Sequence, residues 1–146
     1  MPEWFDPETL AGLALAAVFG GMLFFSAVMA PLVFTRLPAD QAGRFIRQVF
    51  PWYYLVSGAA SALALAALAV ARGLLAWETL AVAAVAAAFA AARQGLMPRI
   101  NRESDRARAG ELDAPHRFNR LHRLSVIVNA LQLLAVTAVL VRLIAY

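Results

Sequence analysis

Cysteine is absent from the 146 residues, which rules out disulfides, thiolate metal sites and cysteine nucleophiles and leaves no sign of a redox compartment. Imidazole is scarce: His116 and His122 are the two histidines. Lysine is missing, so all 13 basic residues are arginine, and charged residues make up only 15% of the chain. No Ser-His-Asp arrangement, no paired carboxylates and no phosphate-cradling glycine loop is found. With one histidine in an apolar stretch and no carboxylate beside it, a catalytic metal centre, which takes three protein ligands, is not expected. The residues call for no cofactor.

What the chain has in excess is apolar surface. Hydrophobic residues reach 62% and the mean hydropathy is +0.68, the composition of an integral membrane protein folded as one compact bundle. A net charge of +4 and a pI near 10.6 superficially suit nucleic acid. A basic patch alone supplies only nonspecific attraction, and no recognition module accompanies it, so no nucleic-acid partner is expected.

Four apolar spans can be drawn, at about 10–34, 52–71, 75–97 and 121–145. Each reaches the ~20 residues that cross a hydrocarbon core of about 30 Å. The first is too long for a cleaved signal peptide, and its leader carries Glu3, Asp6 and Glu8 instead of a basic region, so it is expected to stay in the mature chain. Pro38, Pro51, Gly73 and Pro98 punctuate the remainder as helix starts, turns and stops. The expected fold is an all-α, up-down four-helix transmembrane bundle, a single domain over 1–146.

Eleven arginines lie in the two longer connections, 35–51 and 98–120, or at their margins, against Arg72 and Arg142 on the other side. The positive-inside rule then places both connections in the cytoplasm and both termini outside a cell membrane. Anionic lipid is the natural partner of those arginines. In the first connection Ala42, Phe45, Ile46, Val49 and Phe50 follow helical spacing opposite Asp40, Arg44 and Arg47, as in a short interfacial amphipathic helix. The adjoining rings of Phe50-Pro-Trp-Tyr-Tyr54 are expected at headgroup depth. In the second connection a helix running past Pro98 is expected to break at Gly110, with Asp113 capping the last helix.

Small residues recur every four positions: Gly12, Ala16 and Gly20; Gly58, Ala62 and Ala66; Ala84, Ala88 and Ala92. Such faces let helices approach closely, first within one chain and secondarily in a homo-oligomer. Met22 and Met29 read as core packing before thioether ligands. Glu78, near the outer end of span three, reads as solvated. Arg93, at the inner end of that span, either snorkels to the headgroups or turns inward to an anion.

The candidate site is a polar stripe on the last span. Phe118, His122, Ser125, Asn129 and Gln132 recur at three- and four-residue intervals and share one helix face. Asn129 and Gln132 lie about 10 and 15 Å deeper than His122 at the helical rise. Unpaired amides in hydrocarbon cost several kcal/mol, so the stripe must face protein, water or a ligand. Two uses stay open: hydrogen bonds between helices, with Ser26, Ser57 and Ser61 as partners, or a polar path in which His122 meets a metal, a proton or a small polar solute.

Val49-Phe-Pro-Trp-Tyr-Tyr54, Arg93 before Pro98, Ala30-Pro31-Leu-Val-Phe34 and Phe118-x3-His122-x2-Ser125-x3-Asn129 together resemble the transmembrane protein 205-like family of small four-span proteins. The resemblance runs over nearly the whole chain and implies that Pro31, Phe50, Pro51, Arg93, Pro98, Phe118, His122, Ser125 and Asn129 belong to the family pattern. It implies a loose link with drug or metal tolerance and export, without a reaction or cofactor. The second connection is short here compared with animal relatives. A weaker likeness, through a late Asn101 and His122, is to small four-span proteins described as anthrone oxygenases or copper-resistance membrane domains. The leading expectation is a non-enzymatic membrane protein that binds, or helps move or tolerate, a small amphiphilic or metal-containing solute through His122, Ser125, Asn129, Gln132, Arg93 and Asn101. The alternatives are a membrane oxidoreductase using His122 with Asn101 and Arg93, and a structural subunit of a membrane complex.

Overall fold

A computed structural model describes residues 6–145, so Glu3 of the acidic leader lies outside the described residues. Within them the chain forms four helices long and apolar enough to cross a membrane: α1 (Pro7–Arg36), α2 (Ala39–Arg72), α3 (Trp77–Arg108) and α4 (Ala114–Ala145). No strand occurs among the described residues.

Local chemistry sets most of the helix ends. At α1 the Asp6 carboxylate accepts from the Thr9 N–H at 2.7 Å and Pro7 follows, a side-chain cap with a pre-set first turn. After α2, Gly73 adopts φ +88°, a backbone region where a Cβ is strained. Gly110 does the same after α3 at φ +87°. There the Gly110 N–H reaches Ala107 O and the Glu111 N–H reaches Arg106 O, the paired bonds of a Schellman stop. The Asp113 carbonyl accepts from the Arg117 N–H at the start of α4. The expected break at Gly110 is therefore present.

Two of the helices carry a widened turn of the same design. In α1 a π-turn runs Phe25–Met29, with the Ala30 N–H bonded five residues back to Phe25 O, and Pro31 follows immediately. In α3 a π-turn runs Ala92–Leu96, with Met97 bonded to Ala92 O and Pro98 next. A helix-interior proline removes one N–H and crowds the carbonyl one turn back, and in both helices one extra residue widens that turn. Pro98 thus does not end its helix.

Pro51 likewise lies inside α2 and does not start it, so the amphipathic segment 39–50 is helical and continuous with the second span. This continuity decides where the aromatic residues go. At 100° per residue, Phe50, Tyr53, Tyr54, Ser57 and Ser61 follow the inner side of one unbroken helix, while Trp52 and Val56 point away, 68% and 65% exposed. Of the rings expected at headgroup depth, Trp52 faces outward, whereas Phe50, Tyr53 and Tyr54 turn to the bundle interior.

Each helix packs on the next and α4 closes on α1, leaving α1 opposite α3 and α2 opposite α4. The core includes Leu15, Val18 and Met22 of α1, Ser61, Ala64 and Leu68 of α2, Val82, Val85 and Phe89 of α3, and Val136 and Val139 of α4. Met22 is fully enclosed, as a packing residue. Most of the small-residue stripes do not line these seams, contrary to expectation. Ala16, Gly20, Ala62, Ala66 and Ala84 face outward, and a Cβ placed on Gly12 or Gly20 would meet nothing within 4 Å. Gly58 and Ala92 are the exceptions, since a Cβ placed on Gly58 would lie 3.5 Å from the Phe89 Cβ and Ala92 is buried. The reason is register: the seam positions of α1, including Leu15, Val18 and Met22, are offset from the glycine row, and their bulkier side chains make the van der Waals contacts on which helices in lipid rely.

Candidate functional site

The stripe on α4 is divided by depth. Nearest the arginine-rich connection, the rings of Phe118 and His122 stack with centroids 5.9 Å apart and planes 3° from parallel, and His122 is exposed. Ser125, half-buried, meets the hydroxyl of Tyr54 on α2. One turn deeper, the Asn129 carboxamide is used at both ends. Its Oδ1 accepts from the Tyr53 hydroxyl at 3.0 Å, and its Nδ2 donates to Ser26 Oγ at 3.3 Å. Gln132 is only 5% exposed and donates from Nε2 to the Val85 carbonyl oxygen of α3 at 3.2 Å. The stripe thus reaches all three other helices. No buried side-chain nitrogen or oxygen among the described residues is left without a partner.

The residues that meet Asn129 owe their positions to the irregular turns. Ser26 lies in the π-turn of α1, whose widening re-aims side chains relative to a regular helix. Beside it, Phe25 stacks on Tyr53 with centroids 4.6 Å apart, and Phe50, Tyr54 and Phe89 complete a five-ring cluster around the Tyr53 ring. Aromatic pairs at these separations each add about 0.5–1.5 kcal/mol beyond area burial in water, and here they lock the ring whose hydroxyl bonds Asn129. Sequence reasoning named Ser26 as a partner and missed Tyr53, Tyr54 and the Val85 carbonyl. Two tyrosines spaced three and four residues from Ser57 were the available signal. Ser57 and Ser61, also named, bond within α2, Ser61 Oγ donating to Ser57 O at 2.8 Å.

Arg93 and Asn101 are drawn elsewhere. Arg93, exposed, donates from Nε to the Pro51 carbonyl at 3.3 Å on the α2–α3 side. Asn101 lies on the polar extension of α3, where its backbone carbonyl accepts from Arg47 at 3.4 Å. That extension packs on segment 39–50 through the Arg47–Asp105 pair at 2.8 Å. Close by, Glu103 accepts from Arg117 at 2.7 Å and from Arg106 at 3.0 Å. The Arg117 hydrogen bond holds the Glu103 carboxyl below the usual carboxylate range.

At the opposite end of the bundle, Glu78 is not solvated as expected. It is 4% exposed, paired with Arg72 at 2.8 Å and near Arg142 at 3.6 Å, while Arg72 also holds Glu8 at 2.8 Å. Four charges, one from each helix, close that end. The sequence could not reveal this, because the residues lie at positions 8, 72, 78 and 142 and each alone looks like a surface charge.

Among the described residues, no three His, Asp or Glu side chains are grouped to hold a metal ion. No curated protein and no solved structure matches the chain. One family model does match, a domain of unknown function (DUF4149), over residues 13–109, taking in Ser26, Tyr53 and Arg93 and stopping short of the α4 stripe. Four membrane-crossing helices and a match over more than half its length establish the chain as a multi-pass integral membrane protein of the DUF4149 family.

Proposed function

We propose that this protein binds a small amphiphilic solute at the polar node of Ser26, Tyr53 and Asn129, with Ser125 and His122 leading to it from the arginine-rich end. The observation that carries the reading is the contrast between neighbouring amides on α4. Gln132 is buried and held by one backbone carbonyl, whereas Asn129 is half-buried and its partner Ser26 is exposed. A solute can reach Asn129 and exchange partners with it without unpacking the core. The resemblance to the transmembrane protein 205-like family supports a role in tolerance or export of such a solute, since Phe118, His122, Ser125 and Asn129 are the residues shared. Arginine placement favours an orientation with both termini outside and the node in the cytoplasmic half of the membrane. An oxidoreductase built on His122, Asn101 and Arg93 has less support, because the Arg93 side chain is drawn to the Pro51 carbonyl of α2.

The test is a thermal-unfolding screen of purified protein with alkyl phosphates, alkylamines, uncharged alkanols and zinc or copper chelates. One class is expected to raise the midpoint by about 3 °C or more, the size of a 1 kcal/mol effect in a chain this long. Asn129→Leu and His122→Ala are expected to lose that rise while staying helical. Unfolding of both variants would assign the stripe to interhelical bonding, and a wild-type response retained by both would move the site elsewhere.

A further inference from the structure

Between α1 and α2 an apolar groove of about 310 Å³ opens on the outer surface of the bundle, bounded by Ala17, Gly21, Phe24, Val49, Trp52 and Ala60, with the Tyr53 ring as part of its wall. We infer that this groove holds one acyl chain of a phospholipid from the leaflet at the arginine-rich end. Three features single out that occupant. The first is position: Phe24 and Trp52 are 57% and 68% exposed on two membrane-crossing helices, so lipid is the medium that the groove faces. The second is length and depth. From Val49 to Ala60 is eleven residues of helix, about 16 Å, which is one leaflet of a hydrocarbon core about 30 Å thick. Above Val49 the chain turns polar, with Arg44, Arg47 and Gln48 on α2 and the α3 extension packed against it through Arg47 and Asp105. On α2 the groove therefore starts beside this polar stretch and runs away from it over about one leaflet's length.

The third is charge. Asp40 and Asp105 neutralise Arg44 and Arg47, and Glu103 with Glu111 neutralises Arg106 and Arg117, yet Arg36, Arg99, Arg102, Arg120 and Arg123 at the same end form no ion pair with a carboxylate among the described residues. Phosphate groups are the anions that a membrane offers there. A chain lying in the groove would pack against Phe24, Trp52 and the far side of the Tyr53 ring, so a lipid there would brace the ring that positions Asn129. This inference does not rest on solute binding at Asn129, and the substitutions that test it lie outside the polar node.

Gly21 supplies the test, because it lines the groove and a Cβ placed there meets no atom within 4 Å, leaving room for a larger side chain. Wild-type protein, extracted in mild detergent and supplied with phosphatidylglycerol, is expected to retain one phospholipid in native mass spectrometry. Gly21→Leu is expected to lower the lipid-bound fraction at least five-fold, and Gly12→Leu, equally open but outside the groove, to leave it unchanged. Ala17→Leu fills the groove from the next turn and gives the same reading should Gly21→Leu fold poorly. Retention of lipid by both groove-filling variants at the wild-type level overturns the inference, as does a wild type that retains none. If phosphatidylcholine is retained as well as phosphatidylglycerol, the acyl chain alone governs binding and the charge argument falls.

Discussion

The Tyr53 hydroxyl and the Asn129 carboxamide oxygen lie 3.0 Å apart across the diagonal of the bundle, joining α2 to α4, which are not adjacent helices in the bundle. A polar bond between helices in lipid is worth about 0.6–2 kcal/mol. Tyr53→Phe is therefore expected to destabilise the bundle by roughly 1 kcal/mol. In a double-mutant cycle with Asn129→Leu, the coupling energy is expected to exceed about 0.5 kcal/mol, measured by reversible unfolding in mixed micelles. Additive losses would mean that the bond carries no net energy.

Gln132 offers a contrast within the same stripe. Because it is buried and bonded to the Val85 carbonyl, an apolar residue of similar shape removes the donor and leaves that carbonyl its own helical partner. Gln132→Leu is expected to change stability by less than about 1 kcal/mol. Gln132→Glu brings a carboxylate against a carbonyl oxygen in an enclosed site and is expected to cost several kcal/mol or to force protonation. Equal midpoints for the two variants would contradict the burial of this side chain.

Glu78 is the keystone of the charged end. Glu78→Ala removes the enclosed carboxylate shared by Arg72 and Arg142 while Arg72 keeps Glu8, so the loss is expected to be that of a charged hydrogen bond, about 1.5–3 kcal/mol. Glu8→Ala removes the outer, 46%-exposed partner of Arg72 and is expected to cost no more than about 1 kcal/mol. Thermal midpoints of the two variants in one detergent check the order.

The arginine-rich end should respond to acid. Hydrogen bonding from Arg117 lowers the folded-state pKa of Glu103, and bonding from Arg47 does the same for Asp105. Carboxyls depressed on folding stabilise the fold at pH values above their unfolded pKa, about 4, and that contribution disappears as pH falls through the lower folded values. The midpoint is expected to be flat above about pH 5 and to drop below pH 4. In Glu103→Gln the drop is expected to be smaller, with a lower plateau at neutral pH.

Much of this architecture is legible along the chain, and particular residues show where legibility stops. Gly73 and Gly110 mark helix ends in the sequence because their left-handed backbone is a local demand. Pro51 looks like a helix start by the same local logic, yet α2 runs through it, because in a membrane-spanning element the alternative is unpaired backbone in hydrocarbon. The α4 stripe could be read from spacing, and Ser26 could be nominated as a partner. Tyr53 could not, since its assignment to headgroups assumed a helix start at Pro51.

By itself, then, the sequence determined the membrane class, the four spans, the turns between them and the polar face of α4. These are properties of hydropathy and of single residues, and they need no partner. The tertiary structure alone decided which apolar face turns inward. In water, polarity separates inside from outside; in lipid both faces are apolar, so the choice falls to shape and to hydrogen bonds. That is why the glycine row of α1 is left toward the membrane while Leu15, Val18 and Met22 make the seam, and why Glu78, unremarkable in sequence, became the buried tie at one end and Asn129 the bridge near the other.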